Sequence, residues 1–268
     1  MLTGDFPITI EVVPPLGPDP QPLLGTLESI SHLPFQGFSV ATNPVAKPRM
    51  SAKTMCALIQ QRIGKPAILH CTTRDHNRLS LQALLWGARA LGLETVLVAT
   101  GDFVALGDRA TTTTVRDVDV YALAKMAREA GLQTGVVFDF HPEINGLLTA
   151  VHRLRKKVDA GAEFAVTQPV YDAPSAERLA DALASIGIPV LLGILPLRTP
   201  RHANFLHEKV SGIAVPEEVR RRMQEAPDPV AEGVDNARQM LSIARRLFKG
   251  ACIMPPFDHY EVLFDILK

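Results

Sequence analysis

This chain has no excess of either charge. Lys and Arg total 28, as do Asp and Glu, so its 268 residues are formally neutral. No basic excess asks for nucleic acid or an anionic membrane surface as partner. Cysteine is scarce: Cys56, Cys71 and Cys252 are scattered, and none has CxxC spacing. That argues against a thiolate metal site and makes a reduced, cytoplasmic setting the expectation. No apolar run reaches membrane-spanning length, and MLTGDFPITI lacks a basic segment followed by an apolar stretch. No Gly-rich phosphate fingerprint follows the first strand-like run, which counts against a doubly wound dinucleotide fold. Linkers, low-complexity tracts and long repeats are absent too, leaving one domain over residues 1–268.

What is present is a short period. Strand-like runs fall at Ile8–Val13, Gly37–Ala41, Ala67–Cys71, Thr95–Thr100, Thr134–Phe138, Glu163–Gln168, Pro189–Ile194 and Gly250–Met254. Most are rich in Val, Ile and Phe and short enough for buried parallel strands. Helical patterns separate them. Leu81, Leu84, Leu85, Ala88 and Leu91 share one face, with Asn77 and Arg78 just before it. Val151, Leu154, Val158 and Ala162 recur at helical spacing, and Gly161 is placed to end that helix. Eight strand–helix units predict a closed (β/α)8 barrel, an α/β fold for which about 250 residues is typical.

Polar residues at strand ends carry the chemistry. Glu11, His70, Asp102 and Gln168 lie at or just after four apolar runs, and a barrel gathers such positions at one mouth. Strand one alternates, so Glu11 shares a side with Thr9 and Val13. If that side is the interior, burial raises its pKa and suits it to general-acid work near neutrality. The alternative is a brace paired with a buried Lys or Arg. Asp102, after Gly101, could stabilise a cation in a substrate, or simply form an Asx turn or helix cap. His70 opens HCTTRDHNR, where Cys71, Asp75 and His76 invite a metal reading. No complete ligand set follows from their placement, so a hydrogen-bonding His70 with Asp75 or Asn77 as a helix cap is preferred. Gln168 could meet a heterocycle edge or tie two loops. Lys156 and Lys157 could meet phosphates or form a solvated face. The stretch Gly101–Asp117 is either a lid or a surface excursion. Phe257, Tyr260 and Phe264 fall at helical spacing and read as core.

Several segments together resemble one family. They are IEVVPP (10–15), ATNP (41–44), HCTTRDHNR (70–78), TGD (100–102), KKVDAGAEFAVTQPVYD (156–172), GILPL (193–197) and IMPPF (253–257). In this order, and nearly end to end, they resemble methylenetetrahydrofolate reductases. The likeness is to the reductase half of bacterial proteins that fuse a homocysteine methyltransferase to this barrel.

The resemblance implies FAD-dependent reduction of 5,10-methylenetetrahydrofolate by NAD(P)H, within one-carbon metabolism and methionine biosynthesis. It implies that Glu11 is the general acid, that Asp102 stabilises the iminium cation and influences the flavin, and that Gln168 and Tyr171 contact the folate. His70, Thr100, Gly101, Asp102, His141, Lys157 and Ala162 correspond to positions at or near the flavin. No metal is implied. A separate methyltransferase is an expected partner, and a homo-oligomer is expected.

The chain also departs from the family. Val12 and Val13 stand where many relatives have an aromatic pair, and Thr100 where some have arginine. Ala150 and Arg153 replace an Asp and an Asn that contact the flavin. These changes leave FAD, FMN and direct hydride transfer from NAD(P)H all open. A non-catalytic folate-binding subunit of a methyl-transfer complex is the rival from another class. An aldolase would want a strand-end lysine, and none of the strand ends carries one.

Overall fold

A computed structural model describes residues 4–105, 108–115, 117–140, 146–210 and 212–268, the Phe257 side chain excepted. Eight parallel strands close on themselves in chain order, with β1 paired to both β2 and β8. They are β1 (Ile8–Val12), β2 (Gly37–Val40), β3 (Ala67–Thr72), β4 (Thr95–Ala99), β5 (Gln133–Phe138), β6 (Phe164–Pro169), β7 (Val190–Ile194) and β8 (Gly250–Ile253). Every predicted strand is present, and each boundary lies within one residue of its expected place.

The ring of helices includes α1 (Gln21–Ile30), α2 (Ala52–Ile63), α3 (Arg78–Ala90), α4 (Val120–Glu129), α5 (Gly146–Asp159) and α6 (Ala173–Leu183). After β7 the chain inserts α7 (Pro200–Lys209) and α8 (Glu217–Glu225) before the long α9 (Pro229–Leu247), and α10 (Leu263–Ile266) closes the chain. Short polar side chains start many of these helices. Asn77 accepts from the Ser80 amide at 2.9 Å, Asp119 from Ala122 at 2.8 Å and Asp172 from Ser175 at 2.9 Å. Each satisfies an amide that the first turn leaves without an internal partner. Asn77, not Asp75, is therefore the cap of α3.

Alternation along each strand separates two cores. Ile8, Ile10 and Val12 face outward, into one apolar layer with the helices. Ile68, Leu97, Phe164, Val166, Leu191 and Cys252 fill the barrel interior. Gly135 makes room there: a Cβ on it would sit 2.1 Å from Cζ of Phe164. A smaller cluster holds α7 and α8 on the barrel through Tyr171, Leu197, Leu206, Val215 and Met223. The expected aromatic stripe near the C-terminus divides. Tyr260 is buried, while Phe264 is 38% exposed and lies 5.9 Å from the His32 ring.

Candidate active site

Glu11 belongs to the interior side of β1, in register with Ser39 on β2, as Thr9 is with Cys252 on β8. Ser39 Oγ lies 2.7 Å from Nε2 of His70, on β3. Burial pulls the His70 imidazole down to about 4, so it is neutral at pH 7. A neutral ring brings no cation to hold the Glu11 carboxyl in its ordinary range. Burial, with the charge of Asp102 as a smaller contribution, lifts that carboxyl to about 7. Among the described residues, no Lys or Arg pairs with Glu11. Cys252 shares this interior, where burial, Glu11 next, raises its thiol to about 12 despite hydrogen bonding with Thr9 and Ser39. Such a thiol stays protonated and unreactive.

Asp102 sits at the rim, exposed, on the loop after β4. Gly101 before it has φ +87°, and a Cβ there would meet Cβ of Thr72 at 3.1 Å and of Arg74 at 3.2 Å. The Asp102 carboxylate accepts from the backbone amide of Val45 at 2.6 Å, so it ties two loops. Arg74 is buried beneath this junction. Its guanidinium donates to the carbonyls of Asp102 (3.2 Å) and Asn43 (3.0 Å) and grips Asp75 at 2.5 and 2.7 Å. Burial alone would raise Asp75, but hydrogen bonds from Arg74 and Asn43 outweigh it and hold the carboxyl below its usual value. Among the described residues, no cluster of three His, Cys, Asp or Glu is placed to hold a metal.

Beside the mouth, between β4, β5 and the helices α4 and α5, opens a cleft of about 200 Å³ lined by Thr100, Tyr121, Asp139, Ala150, Arg153 and Lys157. Lys157 is buried, which the paired-lysine pattern did not reveal, while Lys156 is exposed. The Lys157 ammonium donates to the Val137 carbonyl at 2.6 Å and to Asp139 at 2.9 Å. One signal could have found it: Lys157 follows Leu154 by three residues on the buried stripe of α5. Ala162 is buried in the outer core and does not line the cleft; its amide donates to the Lys157 carbonyl at 3.0 Å. His141 lies outside the described residues.

Gln168 is the penultimate residue of β6 and half-buried, and its carbonyl accepts from the Thr167 hydroxyl at 2.8 Å. That hydroxyl also accepts from the Gly193 amide at 2.9 Å, where the β6–β7 register shifts. Tyr171 is buried in the cluster beneath α7, and its carbonyl accepts from Asn236 at 3.0 Å. The mouth thus gathers Glu11, His70, Asp102 and Gln168, with Thr100 and Lys157 in the adjoining cleft and Tyr171 behind it. Ser39, Asn43, Val45 and Arg74 were not singled out by sequence. Arg74, inside HCTTRDHNR, could have been. Val45 gave no signal.

Known proteins share this chain's pattern. A family model described as methylenetetrahydrofolate reductase matches residues 1–251. The 5,10-methylenetetrahydrofolate reductase of Pectobacterium carotovorum is 26% identical over 199 residues, covering 73% of this chain and 66% of that protein. That of Salmonella typhimurium is 26% identical over 203 residues, covering 75% and 68%. The matched stretch therefore spans about two thirds of these relatives' own length. A Clostridium thermocellum protein that binds two copies of 5-methyl-5,6,7,8-tetrahydrofolic acid has the same fold, with TM-score 0.72 at 14% identity, covering 98% of this chain and 93% of its own. On the family model's match, the chain belongs to the methylenetetrahydrofolate reductase family.

Proposed function

We propose that this chain interconverts 5,10-methylenetetrahydrofolate and 5-methyltetrahydrofolate, with NAD(P)H as hydride donor. The observation that carries this reading is Glu11, a carboxyl raised to about 7 by burial and then by Asp102. Opening the folate's five-membered ring needs a proton on nitrogen and leaves an iminium cation. Glu11, protonated in good part at neutral pH, supplies the proton. Asp102 faces the cation. At about 4 Å and an effective dielectric near 20, a carboxylate attracts it by roughly 4 kcal/mol. Gln168 offers both a donor and an acceptor to the pterin edge, and Tyr171 supports that side. The folate bound by the Clostridium thermocellum protein agrees with a folate pocket on this barrel.

The cleft at Thr100 and Lys157 suits the anionic part of a cofactor. Its lining offers the Arg153 guanidinium, and Lys157 is held in place by Asp139. A flavin there would carry hydride between NAD(P)H and the folate, with Thr100, Gly101, Arg153, Lys157, His70 and His141 as the residues to hold it. Ala162 would back the site from the core. A second reading follows from Ala150 and Arg153 in this lining. In it, NAD(P)H would pass hydride straight to the folate. In either case a separate methyltransferase would consume the methyl group.

The test is turnover. Purified protein is incubated with 5,10-methylenetetrahydrofolate and NADH or NADPH, alone and with added FAD or FMN, and 5-methyltetrahydrofolate is read by mass spectrometry. Product in any arm supports the reading; none in every arm, with folate still bound, makes the chain a binding subunit. A visible spectrum after desalting separates the two cofactor readings, since turnover by a colourless protein assigns direct transfer.

A further inference from the structure

Asn43, Val45 and Ala46 have φ of +42°, +50° and +55°, in the turn between β2 and α2. Left-handed backbone is uncommon outside glycine and is an outlier for a β-branched residue. Strain of this kind persists where surrounding structure over-determines it, and it gathers at functional sites. The Val45 side chain explains none of it, being 66% exposed. Its amide does. The left-handed turn aims that N–H at Asp102, on a loop 57 positions later, at 2.6 Å. Arg74 sets the frame by donating to the carbonyls of both Asn43 and Asp102. A further tie between these loops, Lys47 to Asp108, is solvent-exposed and contributes little.

We propose that the strained turn at Asn43–Ala46 is a positioning element for the catalytic carboxylate, the Val45 amide holding Asp102 over the barrel mouth. This rests on the reading of Asp102 as the group that meets the substrate's cation. Without the amide, the Asp102 side chain would be free to rotate away from the mouth and from Glu11.

Two variants of Val45 test it. Val45→Pro removes the N–H and fixes φ near −65°, abolishing the turn. It is expected to lower kcat by about 10- to 100-fold, the scale of a small misplacement at a reacting centre. KM for NAD(P)H should stay within about twofold, because the interaction lost serves the transition state only. A second readout is the pH profile. Asp102, Cys252 and Tyr260 face Glu11, with His70 reached through Ser39. Moving Asp102 away removes a charge that helps raise the Glu11 carboxyl, so the alkaline limb of kcat should shift to lower pH. Val45→Gly keeps the N–H and tolerates the left-handed turn, so it should rescue both readouts.

Wild-type kcat in Val45→Pro, or equal loss in both variants, overturns the proposal. An unshifted alkaline limb overturns it too. Should Val45→Pro fail to fold, a backbone ester at position 45 removes the N–H alone and is read in the same way. Asp102→Asn separates the two levels: if it keeps full turnover, the underlying reading of Asp102 fails, whatever Val45 does.

Discussion

Ser39 Oγ and His70 Nε2 lie 2.7 Å apart on neighbouring strands, and Ser39 is itself the register partner of Glu11. The pair places a neutral imidazole in the barrel interior that carries the acid. A protonated imidazole there would pull the Glu11 carboxyl down and remove its proton at neutral pH. The neutrality of His70 is thus a condition for the acid role proposed for Glu11.

Glu11→Gln keeps the shape of the side chain and removes its proton. Folate turnover should fall by about 10²- to 10⁴-fold. Binding of 5-methyltetrahydrofolate, read by calorimetry, should change only a few-fold. Loss of binding equal to loss of turnover would make Glu11 a binding residue. In the wild type, folate reduction should decline as pH rises through about 7, because the acid form is consumed.

The same carboxyl costs stability at alkaline pH. Its folded value of about 7 lies above the ordinary 4.5, so its favourable contribution is full below about 4.5 and lost as pH rises through 7. The difference is at most about 3 kcal/mol. Glu11→Gln should therefore melt above the wild type at pH 8 and near it at pH 4.5. A variant that melts lower at pH 8 would show that the carboxylate is stabilised by something besides its surroundings in this structure.

His70 works in the opposite direction. Burial depresses its folded value to about 4 from 6.5, and the His202 imidazole is likewise lowered to about 4, by burial and then by Arg198. Each group's contribution is present above about 6.5 and is lost as pH falls through 4, because the unfolded chain takes up the proton first. Denaturant midpoints should drop between pH 6.5 and 4, and His70→Gln should flatten part of that drop. An unchanged slope in the variant would mean that His70 titrates normally.

Lys157 and Asp139 form an ion pair of 2.9 Å in which the lysine is 6% exposed and the aspartate 40%. Asp139→Asn strips the buried cation of its anionic partner. Full burial would put the loss at about 3–5 kcal/mol; water at Asp139 reduces it to about 1–2 kcal/mol. Lys157→Met, which keeps the stem and removes the charge, should cost less. Urea unfolding orders the two variants, and the reverse order would refute this account of the pair.

Gly135→Ala should be among the costliest single-methyl additions, since its Cβ would press on the Phe164 ring from 2.1 Å. Overpacking of this kind costs about 1–3 kcal/mol. The double variant Gly135→Ala with Phe164→Leu should recover part of it. Recovery in thermal melting is the check; simple additivity would mean that the two residues do not compete for the same space.

Periodicity alone determined the eight strands, because a strand buried on both faces must be apolar throughout, and its ends are marked where polar or turn residues begin. Strand-end position also exposed Glu11, His70, Asp102 and Gln168, since a barrel brings every C-terminal strand end to one mouth. Their surroundings were decided only by folding. Lys157 reads as half of a solvated pair until α5 turns it inward onto Val137 and Asp139. Asp102 reads as a cap or a free carboxylate until a turn 57 residues earlier offers it an amide. Nothing local to Val45 asks for a left-handed backbone, and Arg74 finds Asn43 and Asp102 only because three loops meet above the barrel. Pattern reports which way a residue must face, because that depends on its own neighbours in the chain. The charge it meets depends on segments far away, and these only the closed barrel brings together.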